Sequence, residues 1–151
     1  MQVITVHSPI GNLSLTLENE HCVHLSLFGN PTKSAFANHP FVEQLVQYFQ
    51  GQNRHFNVSL QLRGTAFQQR VWQALQAIPY GQTRRYGEIA EQLNSSARAV
   101  GNACRANPVP IFVPCHRVVA KSGIGGFSGA TEGEKLDVKQ WLLAHERHHY
   151  R

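Results

Sequence analysis

The chain has 151 residues, 42% of them apolar, enough for one ordinary domain or two small ones with a buried core. No low-complexity tract argues for disorder and no apolar run is long enough to span a membrane. The N-terminus MQVITVHSPIGN lacks a basic start followed by an apolar stretch, so a cytoplasmic protein is expected.

The formal net charge of +5 is unevenly placed. Residues 1–60 hold two Lys/Arg against three Glu, whereas residues 61–151 hold twelve basic against six acidic side chains. A polyanion such as nucleic acid is the natural partner for that second part, and a modestly basic solvated surface is the plainer reading. The three cysteines, Cys22, Cys104 and Cys115, are too few and too scattered for a disulfide framework, and no CxxC suggests a zinc ribbon.

VITV (3–6), LSLTL (13–17) and VHLSL (23–27) alternate apolar and polar residues as strands do, with turns at Pro9–Asn12 and Glu18–His21. PFVEQLVQYFQG (40–51) carries apolar residues at 41, 45, 48 and 49 and predicts a helix ended by Gly51. FNVSLQL (56–62) alternates again, so the first sixty residues predict a small antiparallel sheet with one helix. His21, Cys22 and His24 lie close in sequence, but nine histidines in the chain favour chance clustering over a metal site.

The pattern changes after Arg63–Gly64, which sets a domain boundary between residues 1–63 and 64–151. Thr65 is placed to cap a helix over 65–78, which Pro79–Tyr80–Gly81 ends. A helix over 83–93 follows, with Tyr86, Ile89, Ala90 and Leu93 on one face. Asn94–Ser95–Ser96 breaks the chain, and SARAVGNACRAN (96–107) resumes as a short helix. Two short helices joined by three residues in the basic part fit a helix-turn-helix. The second carries Ala97, Ala99, Gly101 and Ala103 between Arg98 and Arg105. So bare a helix suits either close approach to a narrow groove or tight helix–helix packing. A glycine-rich loop (121–135) leads to a last helix over 134–146; His145, His148 and His149 near its end favour the helix dipole.

Between these helices lies PVPIFVPCHRVV (108–119). A free cysteine is most often a small buried apolar residue, which suits Cys22 and Cys104. That reading does not explain why Cys115 is followed by His116 and Arg117. Cationic neighbours favour the thiolate, the nucleophilic form, and an imidazole can take the thiol proton directly or through a water. Adjacent residues of an extended segment point apart, so His116 needs a water or a bend. A third group should orient the imidazole, and Glu146 is a candidate.

IPYGQTRRYGEIAEQL, ARAVGNACRANPVPIFVPCHRVV and WLLAHE together resemble the O6-alkylguanine-DNA alkyltransferases, or methylated-DNA–protein-cysteine methyltransferases, over residues 65 to 146. The first sixty residues match only in size and strand pattern. The resemblance implies a mixed α/β (α+β) fold: a ribonuclease-H-like sheet domain, then a mostly helical domain with a winged-helix-like helix-turn-helix. It implies single-use repair, in which Cys115 takes the alkyl group from O6-alkylguanine, with O4-methylthymine a further candidate, in flipped-out duplex DNA.

By the same resemblance, His116 is the water-mediated base, Glu146 orients it and Asn107 braces the segment before the thiol. Tyr86 turns the target phosphate and protonates the leaving guanine, and Arg98 is the finger that fills the space left by the flipped nucleotide. Ser128 and the carbonyls of Cys115 and Val118 line the guanine pocket. Ala97 and Arg105 belong to the DNA-facing helix, which enters the minor groove. No cofactor, metal or membrane is implied; a monomer in solution is expected, and cooperativity on DNA is left open.

Two features depart from the family pattern: Phe127 stands where tyrosine is common before the pocket serine, and ATEGEK (130–135) lengthens the connection to the last helix. A lesion-recognition protein without transfer chemistry is the alternative, disfavoured by the presence of Cys115. A helix-turn-helix transcription factor would not explain PCHR, and a cysteine hydrolase would not explain the helix-turn-helix.

Overall fold

A computed structural model describes residues 2–29, 39–121, 123, 125 and 133–150. The chain forms two compact units, Met1–Arg63 and Gly64–Arg151. Among the described residues no helix is long and apolar enough to cross a membrane.

In the first unit, β1 (Gln2–Ser8), β2 (Gly11–Glu18) and β3 (His21–Ser26) form an antiparallel sheet in the order β1-β2-β3. Alternation places Leu13, Leu15 and Leu17 on one buried face, with Ile4, Val6 and Leu25 from the neighbouring strands. Asn19 and Glu20 both take positive φ, as a two-residue hairpin turn matched to the strand twist requires. In α1 (Pro40–Phe49), proline opens the helix where its missing N–H costs nothing, and Val42, Leu45 and Tyr48 turn inward.

The strand expected over residues 56–62 does not form. Only Leu60 bridges to Cys22, in parallel, with the Cys22 amide donating to the Ser59 carbonyl and the Gln61 amide to the Cys22 carbonyl. The alternation there is real, but the pairing stops after one bridge. Cys22 itself is fully buried, as the small apolar residue expected of it.

In the second unit, α2 (Ala66–Gln76) begins at a capping box: the Gln68 amide donates to the Thr65 hydroxyl, and the Thr65 amide to the Gln68 side chain. The chain then makes β4 (Arg84–Arg85), α3 (Tyr86–Gln92) and α4 (Ala97–Arg105). Asn94, in the left-handed region at φ 55°, turns the chain out of α3, and the Ser95 amide reaches back to the Ala90 carbonyl at 2.8 Å. Ser96 then caps α4, accepting from the Ala99 amide. The two helices pack on each other, and α2 is tied to both. Arg70 donates to the Leu93 carbonyl, and the Trp72 indole N–H donates to the Ala103 carbonyl at 2.9 Å.

β4 pairs in parallel with β5 (Val118–Val119), a two-residue contact that no period in the sequence announces. α5 (Glu134–His148) buries Val138, Lys139, Leu142, His145 and Glu146, a single helical stripe that contains two charged residues.

Candidate active site

The segment before the cysteine is held by one side chain. The Asn107 carboxamide donates to the Val113 carbonyl at 2.8 Å and accepts from the Val109 amide at 3.0 Å, so one residue folds the whole NPVP loop. The Asn107 amide also donates to the Cys104 carbonyl at the end of α4. Inside the loop Ile111 is held at φ 80°, a region that a β-branched residue rarely visits.

Cys115, His116 and Arg117 form a 3-10 turn rather than the extended strand that an apolar run suggests. The turn supplies the bend that lets neighbours in sequence serve one site. Cys115 is 3% exposed. Burial pushes its thiol up to about 11, against the pull of a hydrogen bond from the Asn107 side chain and a nearby ammonium.

His116 and Arg117 are buried with a shared partner on α5. His116 Nε2 meets Glu146 Oε2 at 2.6 Å, and Arg117 reaches both carboxylate oxygens, at 2.8 and 3.0 Å. The remaining face of the guanidinium donates to the Ile78 carbonyl at 2.9 Å and lies over the Tyr80 ring. Hydrogen bonds from His116 and Arg117 and the charge of the guanidinium hold the Glu146 carboxyl far below the usual range despite its burial. Burial in turn lowers the His116 pKa, so the imidazole is neutral near pH 7. A neutral ring facing a carboxylate carries its proton on Nε2, which leaves Nδ1 as the basic nitrogen. Nδ1 has no hydrogen-bonding partner among the described residues.

Tyr86 opens α3 half-buried, and burial together with the Cys104 and Cys115 sulfurs raises its phenol to about 12. Gly125 packs against its ring: a Cβ at that glycine would lie 3.1 Å from the Tyr86 ring edge, and the backbone there has φ 77°. On α4, Ala97, Arg98 and Arg105 are exposed, while Val100, Ala103 and Cys104 turn inward. A Cβ placed on Gly101 would meet nothing, so the bareness of this face does not come from tight packing. Val118 is fully buried, and its carbonyl accepts from Lys139 Nζ at 2.7 Å.

Cys115, His116 and Glu146 therefore converge, with Asn107 bracing the turn and Tyr86 beside the thiol. Arg98, Arg105 and Ala97 lie apart on the outer face of α4. Ser128, Phe127 and residues 130–132 lie outside the described residues. Sequence reasoning treated Arg117 as no more than a cationic neighbour and passed over Lys139 altogether. The signal was available, because Val138, Leu142 and His145 define an inward stripe on which position 139 also falls.

Fold and site together define a class of protein: a helix-turn-helix coupled to a buried cysteine–histidine–glutamate cluster. The family described as 6-O-methylguanine DNA methyltransferase, DNA binding domain, matches residues 66–148. The methylated-DNA–protein-cysteine methyltransferase of Mycolicibacterium paratuberculosis is 47% identical, over 96% of this chain and 92% of that protein. The protein of the same name from Methanosarcina acetivorans is 40% identical over 90% of this chain and 92% of its own. The crystal structure of Mycobacterium tuberculosis OGT in complex with DNA superposes with a TM-score of 0.85 at 40% identity, covering 99% of this chain and 94% of that one. The chain belongs to the methylated-DNA–protein-cysteine methyltransferase family.

Proposed function

We propose that this protein repairs alkylated DNA by moving a methyl or larger alkyl group from guanine oxygen-6 onto Cys115, once per molecule. The observation that carries the reading is the buried arrangement of Cys115, His116 and Glu146, in which a neutral imidazole keeps a basic nitrogen and a carboxylate fixes its tautomer.

The chemistry follows from that arrangement. The thiol proton passes to His116 Nδ1, directly or through one water, and Glu146 stabilises the imidazolium that forms. The Asn107 side chain donates to the developing thiolate. Sulfur attacks the alkyl carbon in line, the carbon–oxygen bond breaks, and the electron pair stays on guanine. Tyr86, whose raised pKa keeps it protonated near neutral pH, delivers the proton the base then needs. The product is a thioether with no easy path back to a thiol, which is why each molecule acts once.

A base inside a duplex cannot reach a thiol that is 3% exposed, so the target nucleotide has to leave the stack. The bare face of α4, with Arg98 and Arg105 at its ends, suits close approach along the minor groove, and Arg98 takes the space the nucleotide vacates. The Val118 carbonyl borders the guanine. Residues 64–151 then hold DNA and thiol, acting as a monomer, and residues 1–63 form a separate domain.

Intact-protein mass after incubation with a duplex containing one O6-methylguanine tests this. One added methyl group that stops at one equivalent, maps to Cys115 and is lost in Cys115→Ser is the expected result. Tight binding to the lesion duplex with no mass change would instead favour a recognition protein, and repeated turnover would point to a hydrolase.

A further inference from the structure

Lys139 is 0% exposed, on the same face of α5 as Glu146, two helical turns earlier. Lysine is rarely placed so deep, because removing its charge from water is costly. Its ammonium donates to the Val118 carbonyl at 2.7 Å and sits 5.8 Å from the centre of the Tyr86 ring. The titratable groups around it come from every neighbouring element: Tyr86 from α3, Cys104 from α4, and Cys115 and His116 from the 3-10 turn. The hydrogen bond and the ring contact join the phenol to a carbonyl of the proposed guanine pocket, and the ammonium's charge acts on the thiol.

We propose that Lys139 is a positioning residue of the transfer reaction, its ammonium fixed by the Val118 carbonyl and the Tyr86 face so that it balances the charge of the attacking Cys115 thiolate. The proposal rests on Cys115 being the acceptor. Burial lowers Lys139 to about 8, so most of it remains charged near neutral pH, whereas His116 is neutral at rest. The standing positive charge beside the sulfur is therefore the lysine's. It favours thiolate and opposes an early proton on His116, so the two groups divide the work. Lys139 neither gives nor takes a proton during transfer: the thiol proton goes to His116, the carbon–oxygen pair to guanine, and the guanine proton comes from Tyr86.

The test uses the full chain with Cys104→Ser, so that one pocket thiol is read. The rate of Cys115 alkylation by iodoacetamide is followed by mass across pH, without DNA, for Lys139, Lys139→Met and Lys139→Arg, beside thermal melts and transfer from an O6-methylguanine duplex. The methionine variant should slow alkylation on the order of tenfold below about pH 8, where the parent lysine is charged, and the two curves should converge at higher pH, with arginine restoring most of the loss at neutral pH. An unslowed methionine variant at neutral pH with normal transfer, or equal slowing by methionine and arginine at every pH, would overturn the assignment.

If the methionine variant does not fold, the Lys139 chain still decides. Its logarithmic rate should rise less than one decade per pH unit above about 8, where the ammonium is lost, and a straight line of unit slope would count against it. Failure of the Lys139 chain to take a methyl group from the duplex would remove the repair reading while leaving the pH–rate comparison intact.

Discussion

Glu146 is the residue on which the site's charges close. It is 1% exposed and accepts from His116 and from two nitrogens of Arg117, itself 6% exposed. Removing one partner of such a cluster strands a buried charge, so Glu146→Gln should lower stability at neutral pH by about 3–5 kcal/mol in urea melts. Acid acts on the same groups. Both His116 and Glu146 resist protonation more in the folded than in the unfolded chain, so the unfolded chain binds the extra protons as pH falls. Stability should therefore decline below the ordinary histidine value of 6.5 and fall more steeply below the ordinary carboxylate value of 4.5. Urea midpoints across that range should lose the lower limb in Glu146→Gln; a midpoint flat down to strong acid would contradict the cluster's geometry. Cys115, His116 and Glu146 were readable from sequence because PCHR and WLLAHE are unusual strings. Lys139 was not, because a lone lysine between apolar residues reads as a solvated side chain until its helical face is worked out.

At the scale of elements, local chemistry decided what could be read. Thr65 and Ser96 announced two helix starts by being capping residues in front of apolar periodicity, and Asn94 announced the break between α3 and α4 by tolerating φ 55°. The β4–β5 pair stayed hidden because two residues carry no period, and the expected strand at 56–62 failed because alternation measures burial, not hydrogen-bond partners. The 3-10 turn at Cys115 was hidden for a related reason: a continuously apolar run has the same pattern in a strand and in a buried turn. One tertiary bond illustrates the cost of such links. Trp72→Phe keeps the aromatic packing but leaves the Ala103 carbonyl without the indole donor, which should cost about 1–3 kcal/mol in thermal melts. The transfer rate constant should be unchanged if the bond only ties α2 to α4; a slowed reaction would mean that this tie also sets the active geometry.

For the whole molecule, the basic excess of residues 61–151 predicts duplex binding that weakens linearly in log–log form as salt rises. Arg105→Ala should reduce that slope by about one if this arginine meets a phosphate, read by fluorescence anisotropy at several salt concentrations. An unaltered slope would take the C-terminal end of α4 off the phosphate backbone. Alkylation adds bulk to a thiol that is 3% exposed, so the spent protein should be less stable than the fresh one by about 1–3 kcal/mol. Melting before and after reaction with the lesion duplex measures this, and an equal or higher midpoint would show that the pocket has room for the product.

The depth of Cys115 has one more consequence. Its surroundings are assembled from Ile78, Tyr86, Asn107 and Glu146, spread along the whole second unit, so they exist only in the folded chain. Until the pocket is engaged, the sulfur is protonated and shielded, which makes it a poor target for peroxides and stray electrophiles diffusing past. A reagent that can act only once has most to lose from accidental chemistry, and here the fold that equips the thiol to react also preserves it until a damaged base arrives.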